Sequence, residues 1–349
     1  MARSLLIIAS SLLLVASTVP AVSADTVAYQ PGNPFGYVPD LGGNLTYAIL
    51  YTLICTATFY HTLNPRKKVD KWALCLPIGL LFAMVGYYIR VAERYNQTEQ
   101  SLYIVMYLFV VLSPAAFLAF NYILFGRLMA ALEGKKPTEI KGKSKYSLLH
   151  PRLFKVIFVT SDIITFLIQA AGGGLQTSDG PQRKVGDKIF LAGVAAQGAS
   201  YLLFATVTLV AHLRLIRQDP QRFSPLNISL SGNPTVLLFD LLYVSSIGII
   251  VRSVYRIVEN AMGYDGYLYT HEVFTFTLDA LPLIIATGVW AIFWPGTLLR
   301  RIRAEANGDR GFDEKIPSAS AGAAEESQPH SLVGHRSEAR VSDIGTSAS

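Results

Sequence analysis

Charge is scarce in this chain: Asp, Glu, Lys and Arg make up 15% of its 349 residues, while hydrophobic residues reach 51% and mean hydropathy is +0.37. A soluble domain carries roughly 25% charged residues because it must cover its surface in water. A chain so poor in charge needs another cover, and a bilayer supplies one. Cysteine is almost absent, and Cys55 with Cys75 makes neither a disulfide framework nor a zinc cluster. The six histidines include no HxxxH pair and no HExxH, which excludes a clustered di-iron site. His61 and His212, both at span ends, are the only weak metal pair to consider; ordinary interfacial histidine is the plainer reading, and no cofactor is implied. The last apolar stretch lacks a lysine, which excludes a retinal Schiff base there. No P-loop, dinucleotide fingerprint or GxSxG occurs, so this chain by itself has no ATP-driven chemistry and no nucleophile–base motif; it does not read as an enzyme. The net charge of +6 does not indicate nucleic acid, because its Lys and Arg residues sit in short stretches between apolar runs.

The apolar runs define the organisation. Residues 1–24 have the form of a signal peptide: Arg3, an apolar core from Leu5 to Val19, Pro20, then Val22-Ser23-Ala24. An uncleaved signal anchor is the alternative. Residues 25–43 form an extracellular amino-terminal segment. Seven spans are expected at 44–62, 72–89, 102–126, 153–175, 189–212, 234–251 and 272–295, within a membrane domain at 44–295. None alternates with period two, so they are helices, and the fold class is an all-α polytopic seven-helix bundle. The third can tilt, or kink at Pro114. With the amino end outside, the inner connections hold fourteen basic residues and the outer ones seven. That bias favours a carboxyl end in the cytosol; the multi-pass protein is expected in the plasma membrane, with the endoplasmic reticulum or a vacuolar membrane as alternatives. The sequons at Asn44 and Asn96 fall on the outer side as glycosylation candidates. Residues 296–349 lack core formers after Arg300, Arg301 and Arg303. They read as a disordered cytoplasmic tail, free to meet anionic lipid or regulatory proteins.

Polar residues inside spans are the candidate functional groups, because burying one costs several kcal/mol unless it is paired or hydrated. Asp162 and Gln169 are seven apart, on one face of the fourth span, followed by Gly172, Gly173 and Gly174. Gly193 and Gln197 share a face of the fifth span, at a depth where Gln197 can meet Gln169. If either Gly173 or Gly193 brings two helix backbones close, leucine there is expected to lower the folded yield. Arg252, Arg256 and Glu259 share a face if the sixth helix continues past its span, with an Arg256–Glu259 ion pair. Glu272 and Asp279 are seven apart, hence on one face of the seventh span, and Arg90 and Glu93 close the second at the same side. This outer ring either holds the bundle together or receives a polar lipid head. In the second case Asp279→Asn is expected to keep folding while weakening the handling of a cationic amphiphile.

In order, Gly86-Tyr87-Tyr88-Ile89-Arg90, Ser161-Asp162, Gln169-Ala170-Ala171-Gly172-Gly173-Gly174, Gly193, Gln197, Arg252-Ser253-Val254-Tyr255-Arg256-Ile257-Val258-Glu259, Gly263, Gly266, His271-Glu272 and Asp279 resemble the fungal RTA1-like group, described as lipid-translocating exporter-like proteins. The resemblance covers roughly residues 37 to 300. It implies a seven-helix membrane protein linked to resistance to toxic lipids, sterol-like drugs or membrane stress, with some relatives associated with movement of sphingoid bases. Phe276 departs from the pattern, standing where the family tends to place a tyrosine. A transporter that meets the cationic head of an amphiphile at Asp162, Glu272 or Asp279, and a receptor-like lipid sensor without transport, both stay open.

Overall fold

Backbone in a bilayer must close its own hydrogen bonds, and the apolar runs do so as helices. The computed structural model describes residues 27–30, 33, 35–64, 69–135, 151–176, 180–218, 223, 233–263 and 266–308. The expected signal peptide, the stretch 136–150, the sequon at 227 and everything beyond 308 lie outside those residues. The long helices are α1 (Leu41–Leu63), α2 (Cys75–Glu93, entered through the 3-10 turn Lys71–Ala73), α3 (Gln100–Leu132), α4 (Pro151–Gln176), α5 (Pro181–Gln218), α6 (Pro234–Met262) and α7 (Glu272–Ile292), with the shorter α8 (Pro295–Ala306) after them. Six of these, α2 through α7, are long and apolar enough to cross a membrane. The chain is therefore an all-α polytopic membrane protein. At 23 residues α1 has the same reach, but its threonines and tyrosines lower its hydropathy. Four of those threonines turn inward on their own helix: Thr52, Thr56, Thr58 and Thr62 donate to carbonyls four residues back at 2.7–2.9 Å.

The helix ends follow local chemistry. Asp40 caps α1 by accepting from the Gly43 amide, and Asn233 caps α6 by accepting from Thr235 at 3.0 Å, with Pro234 at the first helical position. α6 ends at Gly263, whose φ of 75° suits a residue without Cβ. Inside α3, Pro114 denies the Val110 carbonyl its usual donor. Ser113 Oγ fills the gap at 3.2 Å, and the helix runs on through the proline.

Neighbouring helices pack in chain order, and α7 returns against both α6 and α1. Their faces are sorted inside out. On α6, Ile247, Val251, Val254 and Val258 are exposed, while Ser245, Ile249, Arg252, Tyr255 and Glu259 are buried. On α4, Ile163, Ile164 and Leu167 are exposed, whereas Asp162, Thr165 and Gln169 are buried. Aliphatics outside and polar groups inside is the arrangement that lipid favours.

Two expected boundaries are corrected. Residue 296 does not open a disordered tail: Pro295–Ala306 is a helix whose Leu298, Leu299 and Ile302 are buried against α3 and α6. Their i, i+1, i+4 spacing gives it an apolar face that the arginine-rich composition obscured. The sixth span does not stop at 251; α6 continues to Met262 and carries Arg252, Arg256 and Glu259 as helical residues.

Candidate functional site

The α6 face that begins with Ser245 continues through Arg252, Tyr255, Arg256 and Glu259 and meets α7 where that helix is not regular. Residues Thr275–Ala280 form a π-helical segment, with Asp279 buried inside it. Arg252 Nε lies 2.9 Å from Asp279 Oδ1, and Arg256 Nε donates to the same oxygen at 3.0 Å while its Nη2 reaches Oδ2. Arg256 Nη1 also donates to Glu259 Oε2 at 3.0 Å, and Tyr255 donates to Glu259 Oε1 at 2.8 Å. Asp279 is 2% exposed, so its charge survives there only because two guanidinium groups face it.

Glu272 belongs to a second knot at the same end of the bundle, called here the Asp40 end. It accepts from Arg90 Nε at 3.1 Å, Asn44 Nδ2 at 2.8 Å and the Asp40 amide at 2.7 Å. Arg90 in turn donates to Tyr37 at 2.6 Å and lies 5.1 Å from the Phe35 ring centroid. Burial pushes the Tyr37 phenol well above the ordinary tyrosine value, against the pull of Arg90, so this hydroxyl accepts as a neutral group. Regular helix spacing predicts one face for Glu272 and Asp279, yet they serve different arginines. The π-helical stretch between them takes more residues per turn than an α-helix and rotates the second away from the first. Tyr47 and Tyr51 of α1 support that stretch by donating to the Phe276 and Ala280 carbonyls at 2.9 and 3.3 Å.

Phe276 has its own place. Its ring stacks on Tyr47 at 5.2 Å and lies so close to Gly43 that any Cβ there would collide with it. Asn44 is fully buried, with its amide nitrogen donating to Asp40 and Glu272, so a glycan there would take the hydrogen of one of these bonds and has no room in the packed interior. Asn96 is exposed and is the sequon compatible with this packing.

The remaining candidates separate into pairs and orphans. Gln169 donates to Gln197 at 3.0 Å across α4 and α5. The tight glycines beside them are Gly172, where a Cβ would stand 2.5 Å from the Phe190 amide nitrogen, and Gly193, where it would stand 2.7 Å from Gln169 Cγ. At Gly173 a Cβ would have one atom at 4.0 Å and at Gly174 none, so of the two glycines singled out by sequence it is Gly193, and not Gly173, that makes the close approach. A glycine run gives no sign of which member faces the neighbour. Glu93 and Asp162 are both buried and neither has an ion pair among the described residues; Arg90 is the charge nearest Glu93, and the Tyr122 hydroxyl is the polar partner of Asp162. His61 stacks on Trp294 and His212 on Phe239, with His212 Nδ1 also 2.8 Å from the Tyr243 hydroxyl. No cluster of metal-ligating residues occurs among the described residues.

One polar network escaped the sequence reading. Asn121 of α3 donates to Tyr201 of α5 at 2.9 Å and to Ser245 of α6 at 3.2 Å; Tyr201 donates to Ser246, and Trp290 of α7 donates to Ser245. A lone asparagine in the apolar third span was the available signal, since an amide there needs partners.

Helices with aliphatic outer faces, closed around three arginines and three carboxylates that neutralise one another, define an integral membrane protein with a charge-balanced interior. Residues 76–302 match the family described as "RTA1 like protein". The chain belongs to that family. It is 31% identical over 242 residues to Protein RTM1 of Saccharomyces cerevisiae, covering 69% of this chain and 72% of the relative. It is 27% identical over 292 residues to the Sphingoid long-chain base transporter RSB1 of a Saccharomyces cerevisiae strain, covering 75% and 73%. Protein RTA1 of the same species is 24% identical over 294 residues, covering 78% and 88%. No solved structure matches.

Proposed function

We propose that the protein moves or exports amphipathic lipids, such as sphingoid bases or sterol-like compounds, across a fungal membrane and so contributes to resistance to lipid or drug stress. The observation that carries this reading is similarity, over most of both chains, to a relative named as a sphingoid long-chain base transporter. The bundle suits lipid movement, with aliphatic outer faces and charges kept inside near one end. On this reading α1 is the seventh span, because its 23 residues reach about 35 Å at 1.5 Å per residue and its threonines satisfy themselves. The Asp40 end faces the exterior with Asn96, while α8 and its arginines face the cytosol, following the basic-residue bias. The protein works at the plasma membrane, with membrane lipids as its partners, and it has no catalytic role.

Purified full-length protein in proteoliposomes tests this. Net movement of a labelled sphingoid base without any other protein is the expected result. Saturable binding with no movement would leave the lipid-sensor alternative in its place. Orientation is tested separately, by protease treatment of sealed right-side-out vesicles, which should spare a carboxyl-terminal tag.

A further inference from the structure

The carboxylates that helix spacing offers to a cationic ligand are poorly available. Glu272 and Asp279 each have arginine partners, so a cation arriving at either must displace a guanidinium group. Glu93 and Asp162 have no ion pair among the described residues but are buried. A different acid stands at an opening. Between α3, α5, α6 and the turn Tyr267–Thr270 lies a small cleft open to the outside, lined by Tyr103, Tyr107, Tyr269, Asp187, Asn260 and the edge of the Arg256–Glu259 pair. Asp187 is half-buried there, with no ion pair to another described residue. Its basic neighbours on α5, Arg183, Lys184 and Lys188, are exposed.

The charge of the cleft follows by counting. Arg252 and Arg256 are balanced by Asp279 and Glu259, so that group is neutral and Asp187 remains as the acid of the lining outside it, with Arg183, Lys184 and Lys188 on the exposed part of the same helix turn. The opposing wall is aromatic. Tyr103 and Tyr107 stack at 5.9 Å, Tyr107 packs on Phe190, and the Tyr103 and Tyr269 hydroxyls meet at 3.0 Å. Hydroxyls that bond to each other stay at the rim, and tyrosine faces attract a cation through their ring quadrupoles. Asn260 already donates its amide nitrogen to the Arg256 carbonyl at 2.7 Å, which leaves its oxygen as an acceptor for an N–H group.

We propose that the Asp187–tyrosine cleft is a binding site for an alkylammonium group, with Asp187 as its counter-ion and the tyrosine rings as its wall. The cleft is open and encloses little space, so only the charged end of a lipid would enter it, with the tail against the exposed aliphatic faces of the helices. A free small cation carries the same chemistry. The link to lipid export rests on the translocation reading above; cation binding in the cleft does not.

The test uses the full-length protein in neutral maltoside micelles. Equilibrium dialysis with radiolabelled choline probes the free cation, and competition by octadecylamine against octadecanol probes the lipid form. Wild-type protein should bind choline saturably, and octadecylamine should displace it while octadecanol should not. Asp187→Asn should weaken binding at least tenfold, and Tyr107→Leu several-fold, with Tyr107→Phe close to wild type because the ring remains. Asp187→Glu keeps the charge and should retain measurable binding, which guards against reading a misfolded variant as a lost site. Choline binding without octadecylamine competition would assign the site to small soluble cations. Asp187→Asn binding as tightly as wild type, or equal competition by octadecanol, would overturn the proposal. Proteoliposome transport of octadecylamine separates the two readings: movement unaffected by Asp187→Asn removes the site and leaves translocation standing, whereas binding without movement does the reverse.

Discussion

At the Asp40 end of the bundle, Arg90, Arg252 and Arg256 face Glu259, Glu272 and Asp279 in two buried knots. At the opposite end the Asp70 carboxylate fastens two segments of the chain together. Asp70 accepts from the indoles of Trp72 and Trp294 at 3.2 and 3.1 Å and from Arg300 at 3.3 Å, tying the loop before α2 to the start of α8. Gly296 lies hard against that carboxylate, so a Cβ there would collide with it. The Asp70–Arg300 pair is partly open, with side-chain exposures of 14% and 29%, whereas Arg252 and Asp279 are at 10% and 2%. Removing one member of a closed, desolvated set strands its partner without solvent. Removing one member of an open contact lets water take the vacant place. The two ends should therefore respond very differently to the same chemical change.

Asp279→Asn is the largest break. It leaves Arg252 and Arg256 short of a negative charge in a buried setting, for which about 3–5 kcal/mol of destabilisation is expected. Folded yield and thermal unfolding in detergent measure it, and Arg252→Gln in the same chain should recover part of the loss. This reverses the expectation, made from helix spacing, that Asp279→Asn would fold normally. Normal stability in that variant would mean that the network contributes little. Gly172→Ala comes next: the added methyl meets the Phe190 backbone, and overpacking of this kind costs about 1–3 kcal/mol. Gly173→Ala is its control and should unfold at the wild-type temperature. Asp70→Asn should cost about 1 kcal/mol or less, since the pair is partly hydrated, with a loss that shrinks as salt rises. Equal damage from Asp70→Asn and Asp279→Asn would erase the contrast between the ends. Glu93→Gln is the smallest change. Its carboxylate makes no hydrogen bond among the described residues, so the neutral amide gives up the attraction to nearby Arg90 but sheds the cost of burying a charge, and stability should stay within about 0.5 kcal/mol of wild type or rise.

Some of this was legible residue by residue. Arg252, Arg256 and Glu259 fall at i, i+4 and i+7, and the structure places an Arg256–Glu259 pair on that helix face at 3.0 Å. Gln169 and Gln197 match by depth in antiparallel neighbours, and they bond. Arg90 and Glu272 are both visible as polar residues near one end, but their pairing joins positions 182 apart and depends on how α2 and α7 are brought together. Asp187 does not stand out at all, because an acid among Arg183, Lys184 and Lys188 reads as solvated helix surface. Only the tyrosines of α3 and of the turn before α7 make it one wall of a cleft.

Hydropathy, charge scarcity and helix spacing by themselves determined that this protein is a helical membrane protein with its polar residues gathered toward one end, because lipid constrains every helix separately through its own composition. Partner choice was decided only in the tertiary structure. Which glycine touches a backbone, which acid takes which arginine and which acid is left facing a cleft all depend on the rotation of one helix against another. The π-helical turn in α7 makes the point physically: extra residues per turn send Asp279 to Arg252 and Arg256, leave Glu272 to Arg90, and undo the shared face that a regular helix would have given them.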